Sequence, residues 1–275
     1  MKDLENLYQE YGEYNVLYNQ LNMPSPSIEY AWRKTKKIVQ DEVLGIIGGA
    51  SGKLSIGDVG CGNGALMIRL AELSRDVGTQ LKFTGFDISK PFIDYGRMAA
   101  KYKKLTNIDF EQLNIEKEEL PGDFDVIICS EVLEHVKKPE LMLEKLYLSL
   151  HSGGYLVLTT PNSKNLIKYP FLFLKKGVSQ RDSQEMSKFL TKAEQKHKLA
   201  ELEQHLYVFS QPELKELLRK VGFGVVKTPR STTLFGGPFL DNHSLLLATI
   251  MITDTLFDLL PFPQIGWDNI FVCKK

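Results

Sequence analysis

The sequence predicts an α/β protein built on a doubly wound, mainly parallel seven-stranded sheet with helices on both faces. Three observations carry that expectation. Apolar runs of strand length recur along the chain, and most intervals between them carry helix-period patterns. The first of these runs turns through closely spaced glycines straight into a helix. Finally, 275 residues that are 43% hydrophobic and 25% charged suit a decorated globular domain and argue against disorder or a fibrous chain. Strands that alternate with helices imply a mainly parallel sheet covered on both faces.

Taken in order, residues 1–50 read as a helical leader or cap, and Gly48-Gly49-Ala50-Ser51-Gly52 as a flexible joint to a domain over 51–275. The strands are expected at Leu54–Val59, Lys82–Phe86, Ile108–Leu113, Phe124–Cys129 and Tyr155–Thr160. Between them, one helix shows an apolar face of Ala65, Leu66, Ile68, Leu70 and Leu73, and a second shows Phe92, Ile93, Tyr95 and Met98. The helix before the fifth strand carries Leu141, Leu143, Leu146, Leu148 and Leu150, and Ser152-Gly153-Gly154 stops it. Past Asn162 the alternation breaks, and 163–203 reads as an insertion or lid. Pro212 then opens a helix with Leu214, Leu217 and Leu218 that ends at Gly222 before a strand at Phe223–Lys227. An apolar helical segment over 234–263 precedes the last expected strand, Asn269–Cys273.

Charge and cysteine content narrow the function classes. Lys plus Arg and Asp plus Glu are 34 each, so no global field marks a dedicated nucleic-acid binder. Cys61, Cys129 and Cys273 lie far apart without metal-ligand spacing, which fits a reducing compartment. Met1 to Gln20 is studded with charges and has no apolar run, so no signal peptide is expected. The greasiest stretch, Ser244 to Thr253, is only ten residues long and falls short of the roughly 20 that span a bilayer. A cytoplasmic protein with no transmembrane segment is the expectation.

The most informative segment is Ile56-Gly57-Asp58-Val59-Gly60-Cys61-Gly62-Asn63-Gly64, leading into Ala65-Leu66-Met67-Ile68. A strand that turns through glycines into a helix offers bare backbone N–H groups and a helix N-terminus to an anionic or polar group. Gly60 to Ala65 also satisfies a dinucleotide fingerprint. Asp58 argues against that reading, since a carboxylate two residues before the turn repels a diphosphate and suits a sulfonium or ammonium, or else holds the turn's amides. Asp87 closes the second strand, where a ribose diol would lie.

With these residues in place the chain resembles class I S-adenosylmethionine-dependent methyltransferases, Rossmann-like enzymes, over roughly Leu54 to Phe223. The series continues in order through Leu113-Asn114-Ile115 with Leu120-Pro121, Phe124 to Val136, Ser152-Gly153-Gly154-Tyr155-Leu156 and Thr160-Pro161-Asn162. The resemblance implies S-adenosylmethionine as cofactor, with Gly60, Gly62 and Gly64 at its methionine end, Asp87 on the ribose hydroxyls and Asn114-Ile115 at the adenine edge. Asp58, Cys61, Ile88, Ser130 and Glu131 complete the implied cofactor-binding set. Many relatives carry Asp where this chain has Asn114, whose carbonyl can still accept from the adenine amino group.

Methyl transfer to a hydroxyl needs a base, or a metal that lowers the hydroxyl's pKa. His135 and His205 are the candidate catalytic residues. Glu131, Glu134 and His135 form E-x-x-E-H, and His205 opens His205-Leu206-Tyr207-Val208-Phe209-Ser210. The set resembles that of ubiquinone-pathway O-methyltransferases and small-RNA 2′-O-methyltransferases, where a metal orients two substrate oxygens. Glu131, Glu134, His135 and His205 are therefore the alternative ligands of a divalent ion such as Mg. The same E-V-L-E-H-V run also occurs in the superfamily without a metal, so both readings stand.

The expected reaction is O-methylation of a small apolar or amphipathic acceptor. Within 163–203, nine Lys/Arg outnumber five Asp/Glu, so RNA stays as an alternative acceptor, though no RNA-binding module is recognisable. Tyr169–Leu174 with Lys175-Lys176 reads as a lid over the acceptor, and Tyr8, Tyr11, Tyr14 and Tyr18 as an aromatic wall or as core. In Leu245–Leu260, Asp254 and Asp258 mark a polar face, and Leu256, Phe257, Leu259 and Leu260 an apolar face that covers the sheet, a twin subunit in a homodimer, or substrate. A non-catalytic S-adenosylmethionine-binding protein is the rival from another class.

Overall fold

Helix α1 (Pro26–Gly48) turns Ala31, Val39, Val43 and Ile47 inward at helical spacing and enters the sheet core with them. In this computed structural model the described residues are 26–75, 78–164, 205–229, 231, 244–257 and 266–275. Then follow β1 (Lys53–Val59), α2 (Ala65–Leu73), β2 (Gln80–Asp87), α3 (Lys90–Tyr102), β3 (Ile108–Gln112) and β4 (Phe124–Ser130). The second half holds α4 (Pro139–Leu148), β5 (Leu150–Pro161), α5 (Gln211–Val221), β6 (Gly224–Lys227), α6 (Ser244–Phe257) and β7 (Asp268–Lys274).

The seven strands form one sheet in the order β3-β2-β1-β4-β5-β7-β6. Strands β1 to β5 pair in parallel, whereas β7 runs antiparallel to both β5 and β6. Two apolar layers cover it, as a doubly wound sheet requires. One packs Val39, Val43, Met67, Leu70 and Ile93 against the sheet, and the other packs Leu143, Leu146, Leu214 and Leu218. Chain order reverses between β1 and β4, which opens a crevice at the carboxyl ends of those strands.

Local signals set several boundaries. Ser210 and Glu213 form a capping box at the start of α5, whose C-cap Gly222 takes φ +118°. Pro139 and Glu140 occupy the first turn of α4, where a missing N–H and a negative charge are both tolerated.

Several sequence expectations need correction. On α4 the buried residues are Met142, Leu143, Lys145 and Leu146, while Leu141 and Leu148 are exposed and Leu150 already belongs to β5. Ser152-Gly153-Gly154 lies inside β5 as a register shift, because the strand begins before it by pairing Leu150 with Phe124. Met98 and Leu73 are exposed, and the small residues Gly96, Ala100 and Ala71 take the buried positions instead. Asp254, read as part of a polar outer face, is fully buried: Tyr30 Oη and Lys34 Nζ donate to its Oδ2 at 2.9 and 2.7 Å, while Leu245 and Ile252 face outward. A buried carboxylate is tolerated when it is paired in this way. Tyr8, Tyr11, Tyr14 and Tyr18, Asp258, and the lid residues Tyr169–Leu174 and Lys175-Lys176 lie outside the described residues. None of the described helices is long and apolar enough to cross a membrane.

Candidate active site at the carboxyl ends of β1 and β4

Register places Val59 at the end of β1 beside Phe86 on β2, so the chain beyond β1 turns across the tip of β2. The amides of Gly60 and Cys61 both donate to the Phe86 carbonyl, at 2.7 and 3.0 Å. The next free amide, Gly62 N–H, donates to Asp87 Oδ2 at 2.8 Å, and Ser89 N–H donates to Asp87 Oδ1 at 2.8 Å. Phe86 and Asp87 thus hold the turn, a role the sequence reading offered to Asp58.

The three glycines answer different demands. A Cβ on Gly60 would stand 2.1 Å from Val132 Cγ2, and one on Gly64 2.3 Å from Phe110 Cε1, so both positions exclude any side chain. Gly62, at φ +53°, would point a Cβ into open space, and that opening is what a ligand can enter. Gly64 also ends the turn as the N-cap of α2, aiming the helix N-terminus at the crevice.

Two buried carboxylates flank the turn. Burial, with the negative charge of Asp87 nearby, pushes the Asp58 carboxyl up to about 7, and the Lys36 ammonium opposes that rise. Burial likewise raises Asp87 to about 6, against the pull of the Ser89 and Gly62 amides. Lys36 on α1 is near enough for its charge to be felt here: desolvation lowers its pKa although part of its side chain is exposed, and the charges of Asp58 and Glu131 oppose the fall. Cys61 is no nucleophile, because burial and the charges of Asp87 and Asp58 keep its thiol protonated.

Beyond β3 the chain folds into a tight turn. Asn114 N–H donates to Glu118 Oε1 at 2.8 Å, and Asn114 Oδ1 accepts from Glu116 N–H at 3.1 Å. Asn114 and Ile115 are both buried, and the Ile88 carbonyl between this turn and β2 accepts from Gln112 Nε2.

The end of β4 supplies the other wall. Glu131 takes φ +57°, a left-handed conformation uncommon outside glycine. It is held by its own N–H on the Thr159 carbonyl and by Thr159 Oγ1 on its Oε1 at 2.8 Å, while Ser130 Oγ lies 2.8 Å from the same Thr159 hydroxyl. One turn on, Glu134 is fully buried, accepts from Thr160 Oγ1 at 3.1 Å, and lies 3.7 Å from His135 Nε2. The Glu134 carbonyl accepts the amides of Leu206 and Tyr207, which brings His205 edge-on to His135 with ring centroids 5.1 Å apart.

Glu134, His135 and His205 each offer a ligand atom within 4.8 Å of the others. Glu131, the fourth sequence candidate, is not in this cluster and its carboxylate is held by Thr159. One carboxylate with two imidazoles fits a first-row transition ion better than Mg, which prefers oxygen ligands throughout. Sequence reasoning missed Lys36 and Thr159, and named Thr160 only within the Thr160-Pro161-Asn162 run, with no role. The polar pair Thr159-Thr160 at the end of an apolar strand was the signal available for the threonines, and nothing local marked Lys36.

Residues 51–222 match a family described as a methyltransferase domain. Over 129 residues the chain is 31% identical to the ubiquinone biosynthesis O-methyltransferase of Acinetobacter baumannii strain AYE, covering 46% of this chain and 51% of that protein. The corresponding enzyme of Pseudomonas paraeruginosa is 33% identical over 116 residues, 42% of this chain and 47% of its own. The chain therefore spans about half the length of the curated relatives it matches. Among solved structures, magnesium protoporphyrin IX methyltransferase from Synechocystis PCC 6803 with bound SAH superposes with a TM-score of 0.60 at 15% identity, over 99% of this chain and 98% of that one. The [4+2]-cyclase SpnF has the same fold at a TM-score of 0.55 and 16% identity, over 86% of this chain and 81% of its own.

Proposed function

Because the chain belongs to the methyltransferase-domain family and has the class I S-adenosylmethionine-dependent fold, we propose that it methylates an oxygen of a small apolar or amphipathic molecule. The observation that carries the reading is the convergence of Glu134, His135 and His205 just beyond β4, next to the glycine turn into which Val132 packs.

When bound, S-adenosylmethionine supplies a methyl group on a sulfonium, open to in-line displacement by the acceptor oxygen. Asp58 and Asp87 offer negative charge to its cationic end and its ribose hydroxyls, Asn114 and Ile115 form the adenine rim, and Ser130 and Glu131 border the crevice. Gly62 leaves the space into which the methionine end fits. His135 takes the acceptor's hydroxyl proton at an imidazole nitrogen, and His205, edge-on to it, relays or shares that proton. Buried Glu134 orients His135 and favours its imidazolium once formed.

The same three side chains support a second reading, in which they hold a divalent ion that lowers the pKa of the acceptor hydroxyl. The test has two arms. Calorimetry with S-adenosylhomocysteine and with NADH is expected to show binding of the first only; the reverse result would remove the cofactor assignment. In the second arm, turnover of a catechol-type acceptor is measured with EDTA and for His135→Ala and His205→Ala. Activity that survives EDTA but falls at least 100-fold in His135→Ala supports the base, and activity lost to EDTA and restored by Mn or Zn supports the ion. Wild-type turnover in both variants would eliminate the cluster from the reaction.

A further inference from the structure

A charged side chain sits where α4 should be greasy. Lys145 is only 6% exposed, on the face that Met142, Leu143 and Leu146 bury. Its ammonium points toward the turn beyond β3, donating to the Ile115 carbonyl at 2.9 Å and to the Glu118 carbonyl at 2.7 Å, with Glu119 Oε1 at 3.5 Å. Burying an ammonium is expensive unless every lost water contact is replaced, and here two backbone carbonyls and a carboxylate replace them. A leucine in its place would match the rest of the face and would leave both carbonyls without that donor. The charge therefore has its use in the turn.

We propose that Lys145 is a positioning residue that fixes the Asn114–Ile115 turn in its ligand-ready shape before any ligand arrives, and so sets the selectivity for the adenine edge. The inference rests on the cofactor reading above. Within the turn, Asn114 is held by Glu118 and Glu116, and its carbonyl accepts the amides of Lys117 and Glu118. Those bonds run between residues 114 and 118 and shape the turn from within. Lys145 adds a pair of hydrogen bonds from a separate element, about 30 residues away in sequence, and holds two of the turn's carbonyls at once. That element also follows directly from the segment carrying Glu134 and His135, and Lys137 N–H donates to Glu116 Oε1 at 2.6 Å. The adenine side and the acceptor side of the crevice are thereby tied to the same helix.

The test compares S-adenosylhomocysteine with its deaminated analogue S-inosylhomocysteine, which differs only at the adenine edge, by calorimetry on the full chain. Wild type is expected to favour the adenine form by at least tenfold. In Lys145→Met that preference is expected to fall below threefold, while affinity for the inosine form changes by less than threefold. A merely structural lysine would weaken both ligands alike, and an unchanged ratio in Lys145→Met, or in Lys145→Gln should the methionine variant not fold, overturns the proposal. Hydrogen exchange on unliganded wild type is independent of any variant: the Lys117 and Glu118 amides should already be protected, and protection appearing only with S-adenosylhomocysteine overturns it as well. Absence of S-adenosylhomocysteine binding in wild type would instead count against the cofactor reading, a result separate from any of these.

Discussion

Asp58 shows what a single buried carboxylate does to both stability and binding. Its carboxyl is raised to about 7 and that of Asp87 to about 6, so between roughly pH 4 and 7 the folded, ligand-free protein holds more protons than the unfolded chain. Stability from these groups is therefore full below that window and is lost as pH rises through it. A cationic ligand favours the ionised forms, so its affinity rises over the same range. Asp58→Asn, a neutral mimic, is expected to gain about 1–3 kcal/mol on wild type in urea denaturation as the pH is raised from 5 to 8, the growing penalty of one poorly compensated buried group. Its S-adenosylmethionine affinity is expected to be lower and less pH-dependent. A stability difference that does not grow between pH 5 and 8 would mean that Asp58 titrates normally.

At the level of elements, the turn between β1 and α2 separates packing from binding. Gly64→Ala forces a methyl group onto Phe110 at a residue with φ +75°, and is expected to cost about 2–5 kcal/mol in thermal or urea denaturation. Gly62→Ala meets no atom within 4 Å, so only the cost of the left-handed conformation applies, about 1–2 kcal/mol, while its methyl occupies the ligand's space. Calorimetry should then show a folded Gly62→Ala that has lost at least tenfold in S-adenosylhomocysteine affinity. This turn was legible in the sequence because all its residues are neighbours in the chain, and the same holds for Asp87 at the end of β2. The E-x-x-E-H cluster was legible in part: Glu134 and His135 are adjacent, whereas Glu131 points away because φ +57° aims it at Thr159. Helix faces were less legible. Leucines on α4 at 141 and 148 suggest one face, yet Met142 and Lys145 are buried, since contacts with the turn beyond β3 and with β5 decide the rotation rather than hydrophobicity alone.

Across the whole molecule, α1 is tied down at points far apart in sequence. Lys34 and Tyr30 meet Asp254 of α6, Thr35 Oγ1 donates to Asp268 Oδ2 of β7 at 2.6 Å, and Glu42 pairs with Lys227 of β6. Lys36 lies beside two of these anchors, so its place near Asp58 depends on them. Asp254→Ala is expected to lower stability by about 1–3 kcal/mol, less than a wholly buried pair because Lys34 can still reach water. It should also reduce S-adenosylhomocysteine affinity several-fold without contact with the crevice. Unchanged affinity in this variant would show that α1 keeps its position by apolar packing alone. No such long-range tie can be read from periodicity, which reports only which residues share a face.

The place of β7 gives the sheet an order of events in time. It lies between β5 and β6, yet it is contributed by residues 268–274, more than a hundred positions after β5 begins. While the polypeptide is being synthesised, β3, β2, β1, β4 and β5 can already associate, since each finds its neighbour among residues made earlier. β6 cannot join them, because β7 is its partner in the sheet. Until the ribosome has delivered that segment, β5 presents a row of unpaired peptide groups to any other strand nearby, and the α5–β6 unit has nowhere to dock. Translation arrested before residue 268 would thus leave a half-built sheet that carries the glycine turn but stays adhesive along one side.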